Sequence, residues 1–156
     1  MRKIEVKKGQ IIQHKGDLNS KAYWVEKGLL RSYSIDEKGR EHIFMFAPKD
    51  WIVADSCAHD VPCDLFIDAL EDSIIAVSEK TEFSVELDPT PLLRRMRTLQ
   101  KRVIMLMSAS AIERYEHFLE TYPDIIQRVP QKMIASYLGI TPEALSKVKG
   151  DRVKGK

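Results

Sequence analysis

The residue pattern changes period at Asp88-Pro89-Thr90-Pro91. Before this point apolar residues come in short runs punctuated by glycine, and after it they recur at helical spacing. A chain written this way builds strands first and helices second, which is an α+β layout. At 156 residues it is long enough for one domain or two small ones.

In the front part, Gly9, Gly16, Gly28 and Gly39 each stand beside Lys or Asp in turn-like contexts. Between them lie Gln10–Gln13, Ala22–Glu26, Leu29–Ile35 and Glu41–Ala47, rich in β-branched and aromatic residues. Asp36-Glu37-Lys38-Gly39 reads as a hairpin loop. Phe66–Leu70 and Ser73–Val77 follow, joined by the polar turn Glu71-Asp72. Many short strands at this spacing predict a small β-barrel or roll.

In the back part, Leu92, Met96, Leu99, Val103 and Leu106 are spaced 4, 3, 4 and 3, as in a coiled-coil seam. Arg94, Arg95, Arg97, Lys101 and Arg102 are expected on the other faces. So narrow a stripe on a cationic helix predicts a two-fold dimer, the alternative being packing within one chain. Ser110-Ala111-Ile112-Glu113 fits a capping box, so the long helix breaks near Ser108–Ser110 and a new one runs to about Thr121. The break reads equally as a plain corner or a hinge. Tyr122-Pro123 ends the second helix.

Residues 131–150 fit a helix-turn-helix template. Ala135 falls where two helices cross closely, and Gly139 falls in the turn, where a positive φ is often required. Ile134, Leu138, Ile140, Leu145 and Val148 fall on the inward face. Thr141-Pro142-Glu143 opens the second helix with a capping hydroxyl, a proline and an early acid. Glu143, Ala144, Ser146 and Lys147 then point outward as base readers, with Lys149 near the helix end. Lys132, and Lys149 or Arg152, suit phosphates.

Charge supports this division of labour. Residues 1–89 carry 12 Lys and Arg against 17 Asp and Glu, a net of −5; residues 90–156 carry 13 against 6, a net of +7. A basic tail behind an acidic front suits a polyanion such as double-stranded DNA. The composition, 44% hydrophobic and 31% charged, argues against a disordered or fibrous chain. The longest clear apolar run, Val103 to Met107, is far too short to cross a bilayer. The first residues lack an apolar core of the secretory type, and two cysteines make no disulfide framework; a reducing cytoplasm is the expected location, with no membrane partner.

Roll, long helix and helix-turn-helix, in that order, resemble the bacterial catabolite-activator and fumarate-nitrate-regulator (Crp/Fnr) superfamily of transcription factors. Lys7-Lys8-Gly9-Gln10 to Gly16-Asp17, Glu26-Lys27-Gly28-Leu29-Leu30-Arg31 and Ala69-Leu70-Glu71-Asp72-Ser73 carry the resemblance, as do Glu113-Arg114-Tyr115-Glu116 through Pro123, Val129-Pro130-Gln131 and Ile134 to Glu143. The resemblance implies a cyclic-nucleotide-binding-type, cupin-like β-roll over 1–89, a dimerisation helix over 90–109 and a helical DNA-binding domain over 110–156. It also implies a homodimer on a palindromic site, controlled by a small-molecule effector in the roll. Thr141 would then belong to the DNA-binding set with Lys132, Glu143, Ala144, Ser146, Lys147 and Lys149.

The departures concern the effector. Members that bind cyclic AMP hold the ribose with a Gly-Glu pair and the cyclic phosphate with an Arg-Ser pair. Here Ala54-Asp55 stands in place of the first, behind Trp51, and Cys63-Asp64 in place of the second. A phosphate would meet a carboxylate where it needs a guanidinium, which argues against cyclic AMP; no cofactor is expected. Cys57, His59 and Cys63 suggest soft metal ligands or oxidant-sensing thiols, but the spacing matches no zinc pattern, so the bland reading is a polar loop with two packed thiols and no metal. The family's extra N-terminal helix and C-terminal β-wing are both expected to be missing.

An enzyme on a cupin-like barrel would want clustered histidines, and His14, His42, His59 and His117 show no His-x-His pattern. No catalytic residue is assigned. The competing reading is a degenerate regulator that acts through ligand or protein contacts without binding DNA.

Overall fold

Short apolar runs bounded by glycine turns build two antiparallel sheets. The structure, a computed structural model, describes residues 2–58, 60–80 and 90–154, with only the backbone at Pro91, Leu92 and Lys154. Expectations that fall on His59, on the Leu92 side chain and on the boundary at 89/90 lie outside the described residues. The chain divides into two compact units, Met1–Ser84 and Val85–Lys156.

The first unit holds β1 (Arg2–Val6), β2 (Ile11–Gln13), β3 (Lys21–Lys27), β4 (Leu29–Ile35), β5 (Glu41–Pro48), β6 (Ile52–Ala54), β7 (Phe66–Ala69) and β8 (Ser73–Glu79). One sheet has the order β1-β8-β3-β6 and the other β2-β7-β4-β5. Val6, Tyr23, Val25, Leu30, Met45, Val53, Ile67 and Ile75 meet in one buried core, with Trp51 packed against it. This is the expected roll. Two strands were not expected: β1 is mostly exposed and charged, with Val6 as its one fully buried anchor, and β6 is three residues long.

Two places show why particular residues are required. Gly28, at φ +98°, joins β3 to β4; a Cβ there would lie 2.2 Å from Ser73 Oγ. That close approach lets the Ser73 hydroxyl accept from the Leu29 amide at 3.2 Å. In β4, Leu29 to Tyr33 are all buried, Arg31 among them. Arg31 is the register partner of Asp68 and donates to its carboxylate at 2.8 and 3.0 Å, with Glu41 as a further acceptor. Burial works against the guanidinium charge, but the bonds to Asp68 and Glu41 outweigh it and raise its pKa.

The second unit holds α1 (Thr90–Ser108), α2 (Ala111–Thr121), α3 (Gln131–Leu138) and α4 (Pro142–Lys154). The capping box at Ser110 forms as expected, with the Ser110 amide donating to Glu113 at 2.7 Å and the Glu113 amide to Ser110 Oγ at 3.4 Å. Residues 149–154 continue α4 rather than opening a strand. Among the described residues, no helix is long and apolar enough to cross a membrane.

Candidate nucleic-acid interface

The helical unit is organised around an aromatic knot. Phe118, Tyr122 and Tyr137 pack with ring centroids 5.4 to 5.6 Å apart. Ile134, Ala135, Leu138 and Leu145 are fully buried beside them, and Val148 nearly so, which fixes the inward faces of α3 and α4. Ile140 is half-buried.

The turn between α3 and α4 has the geometry its sequence predicts. Gly139 is left-handed at φ 64° and ψ 33°; its amide donates to Ser136 at 3.2 Å and the Ile140 amide donates to Ala135 at 3.1 Å. Those two bonds form a Schellman motif that ends α3 and turns the chain. Thr141 then caps α4, its hydroxyl accepting from the Ala144 amide at 3.1 Å.

Opposite the buried face, α4 presents Glu143 and, one helical turn on, Ser146 and Lys147, all exposed. Lys132, near the start of α3, and Thr141 are also exposed. Ala144 and Lys149 are half-buried at the flank of this face. Arg152 lies on the other side of α4, its guanidinium 6.0 Å from the Tyr115 ring centroid.

Two arginines lock this arrangement, and neither was expected to. Arg114, in α2, donates through Nη2 to Leu106, through Nε to Ala109 and through Nη1 to Leu138 at 2.9, 3.0 and 3.1 Å. Arg102 was expected on an outer cationic face of α1. It is half-buried instead: its guanidinium lies 4.0 Å over the Tyr137 ring and Nη2 donates to the Tyr137 carbonyl at 3.3 Å. Burial pushes its pKa down. Both cations sit against the C-terminal carbonyls of α3, where the helix dipole favours positive charge. The α3 carbonyls they reach, Tyr137 for Arg102 and Leu138 for Arg114, lie far along the chain, so no local pattern announces these contacts.

Among the described residues of the expected α1 seam, two are exposed and two are half-buried in the single chain. Met96 and Val103 are exposed at 58% and 54%, but Leu99 and Leu106 are half-buried, and Leu106 packs toward Gly139. Leu93, Ile104 and Met107 are exposed with Met96 and Val103. Leu93, Met96, Val103 and Met107 follow steps of 3, 7 and 4, which keeps them on one stripe.

In the roll, the residues expected to face an effector fall into two groups. Trp51 belongs to the core edge, and Ala54 is half-buried in β6 opposite Ala22. Asp55, Cys63 and Asp64 share the loop from β6 to β7. Asp55 is 4% exposed, and its carboxylate accepts from the amides of Cys57, Asp64 and Leu65 at 3.0, 2.9 and 2.9 Å. It is a loop clamp. Asp64 is exposed and Cys63 is buried. Among the described residues, Asp55, Cys57 and Cys63 form one group with potential ligand atoms within 4.8 Å of one another. His14 and His42 lie on the surface beside Asp17 and Asp36.

Residues 3–88 match the family described as the cyclic nucleotide-binding domain. No curated protein sequence matches the chain. Among solved structures, FixK2 from Bradyrhizobium japonicum is similar with a TM-score of 0.79 at 20% identity, over 99% of this chain and 85% of that one. A CRP/FNR-family transcriptional regulator from Thermus thermophilus gives 0.75 at 17% identity, over 99% and 87%. A mutant of CooA from Carboxydothermus hydrogenoformans gives 0.73 at 20% identity, over 98% and 76%.

Proposed function

The chain belongs to the cyclic nucleotide-binding domain family and has the fold of Crp/Fnr-type regulators, and from that premise we propose that it is a homodimeric, DNA-binding transcriptional regulator. The observation that carries the proposal is the exposed face of α4: Glu143, Ser146 and Lys147 stand outward on a helix whose opposite side is anchored by Leu145 and Val148. In a major groove, Lys147 donates to guanine O6 and N7, and Glu143 accepts from cytosine N4. Lys132, with Lys149 at the flank, neutralises phosphates, and the net +7 of residues 90–156 draws the unit to the duplex.

A second copy packs on the exposed stripe of α1, so that two reading helices face a palindrome. An effector in the roll biases the pair of reading heads through a two-state change. We assign no cyclic nucleotide to that role, because Asp55 clamps its own loop and nothing in that segment supplies a guanidinium. The test replaces Glu143 and Lys147 together with alanine. Specific DNA binding is expected to vanish while dimerisation is kept; unchanged sequence preference would overturn the assignment of the readers.

A further inference from the structure

The loop between β6 and β7 carries the chain from one sheet to the other and holds both cysteines. The Cys57 and Cys63 sulfurs are 3.6 Å apart, both as free thiols. Backbone bonds hold the pair in place: the Cys63 amide donates to Asp17 at 2.9 Å, the Gly16 amide donates to Cys63 at 2.8 Å, and Asp55 grips the loop on both sides. Closing a bond between the sulfurs requires only a small approach of two side chains already in contact.

The two thiols differ in setting. Cys63 is 2% exposed, whereas Cys57 is half-buried. Cys57 Sγ also lies 3.2 Å from Ser20 Oγ and 3.5 Å from Lys80 Nζ, while that ammonium donates to the Cys57 carbonyl at 2.8 Å. A cation and a hydroxyl therefore stand at the sulfur that a small oxidant reaches first. Burial pushes the Cys63 thiol up to about 11, so it stays protonated as the reserve partner.

We propose that Cys57 and Cys63 are a reversible dithiol–disulfide pair that reacts with hydroperoxides, Cys57 as the attacking sulfur and Cys63 as the resolving one. Cys57 attacks the peroxide O–O bond, becomes a sulfenic acid and releases an alcohol, or water from hydrogen peroxide. Cys63 then attacks the sulfenic sulfur; the S–S bond forms, the S–O bond breaks and the hydroxyl leaves as water with the thiol proton. The two thiols lose two electrons and the peroxide gains them. A dithiol reductant returns both thiols by exchange.

A metal is the weaker occupant for the same atoms. Three backbone amides already engage the Asp55 carboxylate, so among the described residues the two thiols are the donors that remain in this group. This thiol chemistry lies within the roll alone and does not depend on DNA reading.

The experiment treats the reduced, purified protein with hydrogen peroxide and follows free thiols and intact mass. The expected result is joint loss of both thiols, a mass lower by about 2 Da and recovery with dithiothreitol. Cys63→Ser is expected to stop at a sulfenic acid on Cys57, trapped by dimedone, and Cys57→Ser to slow the reaction of Cys63 at least tenfold. Circular dichroism confirms that both variants fold, and Cys63→Ala serves as the alternative if the serine variant does not. Thiols that survive peroxide in the folded protein, disulfides that form only between chains, or stoichiometric zinc held by the purified pair would each overturn the proposal.

Discussion

Arg114 Nη1 donates to the carbonyl of Leu138 at 3.1 Å, so a side chain of α2 holds the last residue of α3. The same guanidinium holds Leu106 and Ala109, where α1 ends and the chain turns into α2. Arg114→Ala is therefore expected to destabilise the helical unit by about 2 kcal/mol, since hydrogen bonds from a charged donor are lost and buried carbonyls are left unmet. Arg114→Lys keeps the charge but cannot fork to three acceptors, so it should restore less than half. Urea denaturation followed by helical circular dichroism measures both.

Gly139 stands against the same guanidinium. An alanine there meets a left-handed φ, and its Cβ would lie 3.4 Å from Leu106 Cδ2. Gly139→Ala should cost about 1–2 kcal/mol through the backbone alone, visible as a lower urea midpoint with an unchanged slope.

Position 139 was legible because a left-handed turn has a local signature, and so were the Ser110–Glu113 box and the Thr141 cap. The outer and inner faces of α4 followed from its period. Arg102 and Arg114 were not legible in these roles, because the α3 carbonyls of Tyr137 and Leu138 are brought to them only by tertiary packing. Strand β1 escaped because an edge strand with one fully buried residue has little apolar alternation to read. The half-burial of Leu99 and Leu106 has the same origin: a heptad pattern identifies apolar positions but not which of them the chain itself covers.

In the roll, Arg31 is 5% exposed and meets Asp68 across the β4–β7 pairing. Asp68→Ala leaves a buried guanidinium short of its main partner and should cost about 3–5 kcal/mol. Replacing the pair together, Arg31→Met with Asp68→Leu, should recover most of that loss. Chemical denaturation of the two variants decides whether the ion pair or the packing matters more.

The capping box predicts a pH dependence. The Ser110 side chain and amide hold the Glu113 carboxyl below its ordinary value of 4.5. A lowered carboxyl stabilises the fold above that ordinary value, and the contribution is lost as pH falls through the lowered one. Thermal stability of the wild type should therefore fall as pH drops below 4.5, and Glu113→Gln should flatten that part of the profile. An equally steep acid limb in the variant would assign the effect to other carboxylates.

The exposed stripe of α1 predicts the assembly. The 18.0 kDa chain should sediment at twice its mass, and Val103→Glu or Met107→Glu should yield monomers that keep their helical signal. Sedimentation velocity separates the two states directly.

The most direct test selects random or genomic DNA fragments on the purified protein at near-physiological salt and sequences what is retained. The account predicts enrichment of a palindrome whose half-sites lie about one helical turn, or roughly 34 Å, apart. Retention of DNA without sequence preference, or none at all across the effectors tried, would contradict a reading helix at Glu143 to Lys147.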